Sequence, residues 1–267
     1  MIKITLGPVY GFGPSMTGMR NPKNSWAKND TFKCEGNDPS DCDDCIMQKE
    51  REICDLDAEG VVIGPNDLKL ASQLASAGPD HAKFRRMIVV YTDIIAPLYW
   101  WKEFDTYKIG TVANSCSTMH TIADKPFELN DFSHEHLITE DLNENAMLRA
   151  ELSPQGDLGY WDPDMIGPVY PYDILEYTIK ILNKCRTSYR LTEDPEKKKQ
   201  YWWQMIQLLP SSYNQKRTVM LNYEVLARIY KARRNHKLDE WHTFCSWIEL
   251  LPYAEELIIG KEDRHDD

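Results

Sequence analysis

Cys34, Cys42, Cys45 and Cys54 crowd into one short acidic stretch, with a single Cys-x-x-Cys at Cys42 and Cys45. Four thiolates in such a stretch could close a tetrahedral zinc site and staple a segment that has no core of its own. Asp38, Asp41, Asp43 and Asp44 lie among them, and their charge raises thiol pKa values unless a metal offsets it. One Cys-x-x-Cys is half of the strong double pattern, so free or redox-labile thiols stand beside structural zinc as a reading. Cys116 could serve as a nucleophile, but only Lys108 and His120 lie near enough in sequence to activate it, and a small residue in a turn is the plainer reading. The pairs Trp100-Trp101 and Trp202-Trp203 could stack on a flat ring, or pack as core at helical spacing. Arg233 sits in a basic run with Lys231 and Arg234, which on its own reads as a solvated helix face.

These residues need elements to position them. Residues 1 to about 30 read as a strand followed by an ordered loop, with Met16 to Trp26 in the loop. Residues 31–60 turn acidic and Cys-rich, the mark of an insertion on a scaffold. Asn66 is a good N-cap for a helix carrying Leu68, Ala71, Leu74 and Ala75 on one face, with Gly78 at its end. Met87 to Thr92 is rich in β-branched residues and predicts a strand. Pro97 then suits a helix start, the aromatic run from Leu98 to Tyr107 suits a buried helix, and Gly110 ends it. Residues 121–170 read as irregular surface, with a short helix from Leu142 to Leu152. In the last third, Tyr172–Tyr189, Asp194–Leu208, Val219–Arg234 and Asp239–Ile258 all show helical spacing, and Asp194-Pro195 is a clean helix start.

The chain has 267 residues, enough for a substantial core in a single domain, here 1–267 with the insertion at about 31–60. Its 31 basic and 42 acidic residues give a net charge of −11, which disfavours nucleic-acid backbones and anionic membrane surfaces as partners. A free nucleotide held by a few placed cations remains compatible. The apolar runs are too short for a membrane span, and the first residues lack a signal-like pattern. Seven Cys, an odd number, suit a reducing compartment, so the expectation is a cytoplasmic protein.

Two separated stretches resemble the flavin-dependent thymidylate synthases. That family carries R-H-R-x-x-S-x-N-x-x-S-x-R after an Ala-Pro-like helix start. Counting from Ala96-Pro97, Thr106-Tyr107-Lys108 fall on R-H-R, Thr111 on the first Ser, and, one extra residue later, Asn114, Ser117 and Met119 on the final N, S and R. Asn114 and Ser117 match, Lys108 keeps the charge and Thr111 the hydroxyl. Thr106, Tyr107 and Met119 replace Arg, His and Arg, and no Met can imitate the bidentate grip of a guanidinium on phosphate. The second stretch needs no gap. Leu209-Pro210 is followed by Asn222-Tyr223-Glu224-Val225-Leu226 where the family has N-A-R-x-L, and Arg233 falls at the family's interval from that Asn. Asp80-His81-Ala82-Lys83-Phe84 also resembles a Gly-His-x-x-x-Phe segment that lies against the flavin.

The resemblance implies an α+β fold, a small antiparallel sheet packed with helices and a helical C-terminal third, assembled as a homotetramer. It implies FAD as cofactor, with His81, Tyr107, Lys108 and Asn222 against it. Glu103 and Ser117 would bind the pyrimidine nucleotide, and Arg233 would face the ring as the catalytic cation, steadying charge as C5 becomes nucleophilic. The implied reaction passes a one-carbon unit from methylenetetrahydrofolate to C5 of a uracil nucleotide, dUMP to dTMP or a related pyrimidine modification. Two alternatives from other classes are a nucleotide-binding or structural oligomer that has lost the chemistry, and a zinc-dependent interaction module built on the four-Cys segment.

Overall fold

A computed structural model describes residues 2–34, 57–140 and 170–260. Cys42, Cys45, Cys54 and the Leu142–Leu152 segment lie outside the described residues. The described chain forms two compact units, one from residues 97–99, 116–140 and 170–215, the other from residues 2–34, 57–96, 100–115 and 216–260.

The second unit is built on a mixed-length sheet. Its strands are β1 (Lys3–Ile4), β2 (Val9–Tyr10), β5 (Val89–Pro97), β6 (Thr111–Ser115) and β7 (Asn214–Asn222), ordered β1-β5-β7-β6, with β2 also on β5. Strand β5 shows why the region is a strand: Val90, Thr92, Ile94 and Ala96 are buried and alternate with more exposed neighbours. The expected strand at Met87–Thr92 therefore starts later and runs further, because Lys83–Met87 form a 3₁₀ turn. A separate two-stranded pairing joins β3 (Phe32–Lys33) to β4 (Val61–Val62), so the two ends of the acidic segment meet in antiparallel register.

Helices α1 (Phe12–Arg20), α2 (Pro65–Ser76), α3 (Leu98–Phe104), α7 (Tyr223–Arg233) and α8 (Asp239–Glu249) supply this unit's apolar faces. They depart from the sequence reading at several points: α3 ends at Phe104 and not Tyr107, and α8 ends at Glu249, with a separate π-helical turn at Glu255–Ile259. Met16 to Arg20 is helix where a loop is expected: Gly13, Pro14 and Gly18 mask the pattern, yet Phe12, Ser15, Met16 and Met19 are buried. Helix α2 is capped from outside: the backbone N–H groups of Asn66 and Asp67 donate to the carboxylate of Asp30, at 2.8 and 2.9 Å. Asn66 thus lies in the first turn. Val219 to Asn222 is strand, not helix, since Val219 and Leu221 alternate into the core, and α7 begins only after Asn222.

The first unit holds α4 (Thr118–Thr121), α5 (Pro171–Leu191) and α6 (Pro195–Leu208). Helices α5 and α6 form a helical hairpin closed by Asp194, whose carboxylate accepts from the N–H groups of Glu196 and Lys197. Ile122, Phe127, Phe132, Leu175, Leu182 and Met205 are its core. Among the described residues no helix is long and apolar enough to cross a membrane.

Candidate functional site

Helix α7 organises the candidate site. Asn222 ends strand β7 and caps the helix, its Oδ1 accepting from the N–H of Val225 at 2.9 Å. Gly110 fits directly beneath: its φ of +84° is left-handed, and an added Cβ would run into the Asn222 side chain. The Gly110 carbonyl also accepts from the Asn222 N–H at 3.1 Å, so the turn before β6 and the start of α7 fix each other.

At the far end of α7, Arg233 is held by two residues of the α3 region. Its Nη1 donates to Glu103 Oε2 at 2.7 Å and its Nε donates to the Tyr107 hydroxyl at 2.8 Å. The guanidinium lies 4.8 Å from the ring centre of Trp241 and 5.6 Å from that of Tyr107, within cation–π reach. Glu103 Oε2 also accepts from Trp241 Nε1 at 3.0 Å and stands 3.5 Å from His236 Nε2. Trp241 is fully buried and Arg233 half-buried, so the cation is oriented by a wall that does not move easily. The Nη2 of Arg233 has no partner among the described residues. An arginine with five N–H donors, fixed through Nε and Nη1, thus presents an unused edge.

The opposite side of α7 borders a cleft of about 760 Å³. Asn222, Ile109, Val225 and Ile258 contribute to its lining, together with Arg86, Arg228 and Lys231. Arg85 and Glu224 also reach it but are tied to one another, Nε to Oε2 at 2.9 Å and Nη2 to Oε2 at 2.8 Å, with Arg85 Nη1 donating to the Leu257 carbonyl. Both side chains are buried; desolvation pushes the Arg85 pKa down, and the Glu224 carboxylate opposes that fall.

The residues singled out in the sequence are placed as follows. Arg233, Glu103 and Tyr107 come together in one hydrogen-bonded cluster, and Asn222 lines the cleft. Lys108 is exposed on the turn before β6, next to Ile109. His81 is exposed after α2, and it is Gly78 and Pro79 before it that line the cleft. Ser117 belongs to the first unit, where its carbonyl accepts from the N–H groups of His120 and Thr121 while its hydroxyl makes no capping bond. Cys116 is exposed there and its carbonyl accepts from Gln215 Nε2. Trp100 and Trp101 are core; Trp202 packs against the first unit's core and donates to the Met119 carbonyl. Among the described residues no group of three or more His, Cys, Asp or Glu is arranged to hold a metal, so nothing described supports the zinc reading.

Sequence reasoning did not separate Arg228 and Lys231, which line the cleft, from Arg233, which does not. The helical period carries the signal: Lys231 is three residues from Arg228 and on its side, whereas Arg233, two residues further, turns away.

No family model matches the chain and no curated protein matches its sequence. Solved structures do match its fold. The flavin-dependent thymidylate synthase ThyX from Helicobacter pylori, complexed with FAD and dUMP, aligns over 96% of this chain and 97% of its own at TM-score 0.54 and 16% identity. A second structure of that enzyme with FAD and dUMP aligns over 99% and 100% at TM-score 0.55 and 15% identity. The UMP/dUMP methylase PolB from Streptomyces cacaoi, bound with 5-Br dUMP, aligns over 96% and 94% at TM-score 0.51 and 11% identity. The chain therefore has the fold of the flavin-dependent thymidylate synthases, an α+β fold, as the sequence resemblance implied.

Proposed function

We propose that this protein is an FAD-dependent enzyme that transfers a one-carbon unit to C5 of a uracil nucleotide, with methylenetetrahydrofolate as donor and a homotetramer as the working assembly. The observation that carries the reading is the fixed Arg233 with its free Nη2 edge, on the helix whose other side borders a cleft lined by Asn222. Both are residues that the family resemblance assigns to the ring and the flavin. The neighbours of the same fold are described with FAD and dUMP or with a dUMP analogue.

The cleft fits a flavin on its own terms. It is within the size range of small-molecule sites of roughly 300–1,000 Å³, and it combines apolar side chains at Ile109, Val225 and Ile258 with cations for a phosphate tail. Asn222 lines this cleft, and Lys108 and His81 lie close in sequence to its lining residues Ile109 and Pro79; these three, with Tyr107 from the Arg233 side of α7, are the residues proposed to contact the flavin. Reduced FAD, when bound, supplies the hydride that completes the methyl group. Arg233 is proposed to donate from Nη2 to a ring oxygen, stabilising the negative charge that builds up as C5 attacks the one-carbon unit. Glu103 and Tyr107 keep the guanidinium in place, and Glu103 also offers an acceptor to the base. Ser117 is proposed to hold the nucleotide phosphate. Because Thr106 and Met119 lack the family's guanidinium groups, a pyrimidine nucleotide other than dUMP is an equal candidate acceptor.

A second reading, a nucleotide-binding oligomer without chemistry, draws on the family arginines that Thr106 and Met119 replace. One experiment separates the two: titration with FAD followed by turnover with dUMP, UMP and dCMP. An enzyme binds FAD and forms a C5-modified product, and Arg233→Ala lowers turnover on the order of 10² to 10³-fold with assembly intact. Nucleotide binding with no product from any of the three would establish the second reading.

A further inference from the structure

The cleft beside α7 carries positive charge that nothing in the described protein uses. Arg85, Arg86, Arg228 and Lys231 face two carboxylates, Glu224 and Glu256. Arg85 and Glu224 neutralise each other, and Glu256 has an interaction of its own. The side chains of Arg86, Arg228 and Lys231 have no hydrogen-bond or ion-pair partner among the described residues. In a chain of net charge −11, three unpaired cations around one concavity are a local reversal of sign. Cations are held together against their mutual repulsion most readily where an anion sits between them. Arg228 and Lys231 stand three residues apart on one helix face, and Arg86 comes from the 3₁₀ turn ahead of β5, so the charges reach the cleft from two elements.

We infer that Arg86, Arg228 and Lys231 are this cleft's phosphate grip, taking the diphosphate of the flavin dinucleotide proposed above. This rests on the flavin reading for the identity of the ligand, but the anion site itself follows from the charges alone. Arginine matches phosphate with paired planar donors, and lysine adds a point charge.

The test compares the full-length protein with the Arg228→Gln/Lys231→Gln double variant and with Arg86→Gln, measuring binding of FAD, riboflavin and inorganic diphosphate at two salt concentrations. All three residues are exposed, so the variants keep the fold. The expected result is a loss of FAD affinity on the order of tenfold to a hundredfold in the double variant, a smaller loss in Arg86→Gln, a weaker salt dependence, and unchanged riboflavin affinity. Equal FAD affinity in wild type and double variant overturns the inference while leaving the flavin reading intact. Diphosphate binding that is lost in the variant, with no FAD binding by either, upholds the anion site and sinks the flavin reading. Binding of neither ligand by the wild type overturns both.

Discussion

Helix α7 has two sides with opposite electrostatic fates. On one, Arg233 is held through Nε and Nη1 with only its Nη2 edge left over, Glu103 collects donors from Arg233 and Trp241, and aromatic rings close the surroundings. On the other, Arg228 and Lys231 reach an open cleft with no partner among the described residues. The lesson is that a cation's role depends on its pairing, not its presence. Arg233 is preorganised because its alternatives have been removed; Arg228 and Lys231 remain available because theirs have not.

The largest effect should come from the buried pair at the cleft floor. Arg85→Met leaves Glu224 charged and unpartnered in the interior, and should cost about 3–5 kcal/mol in urea unfolding. A loss below about 1 kcal/mol would mean that the cleft wall does not depend on this pair. On the engaged side, Trp241→Phe removes one donor to Glu103 while keeping most of the packing. It should cost about 1 kcal/mol of stability, and the double cycle with Glu103→Gln should show coupling if Oε2 is truly shared. Asn222→Ala tests the junction of the two sides: loss of the cap bond to Val225 should cost about 0.5–2 kcal/mol, with weakened FAD binding as an independent readout.

The smallest effect is visible only at high pH. Tyr230, on α7, has its pKa pushed from 10.0 to about 12 by burial and by the hydrogen bond from its hydroxyl to Glu249. Between those values the unfolded chain releases this proton while the folded chain keeps it, so stability falls as pH climbs from 10 towards 12 and is unaffected below. Cys245, lifted from 9.0 to about 12 chiefly by burial, adds a fall of the same sign that begins earlier, as pH passes 9.0. Tyr230→Phe should flatten that limb in part, leaving the contribution of Cys245; an unchanged limb would mean that other groups control it.

Much of the fold was legible because local patterns and tertiary needs agreed. Asp194-Pro195 starts a helix, and Pro97 precedes one, because cap chemistry and a fixed φ act within a few residues. Met16–Arg20 was not legible, since its helix is stabilised by burial of Phe12 and Met16 and not by propensity. The start of α2 was misplaced for a related reason: its capping carboxylate, Asp30, comes from a distant part of the chain.

For the site, sequence alone determined the residue types and intervals: the Asn-to-Arg spacing of α7, the acceptor at Glu103 and the missing arginines at Thr106 and Met119. Spacing along one helix is a local quantity and survives in a string of letters. Only the tertiary structure decided that Arg233 is clamped by Glu103 and Tyr107, that Glu224 is cancelled by Arg85, and that Arg228 and Lys231 keep their charge for a cleft. Charge pairing is a matter of a few ångströms between residues more than a hundred positions apart, and folding alone sets those distances.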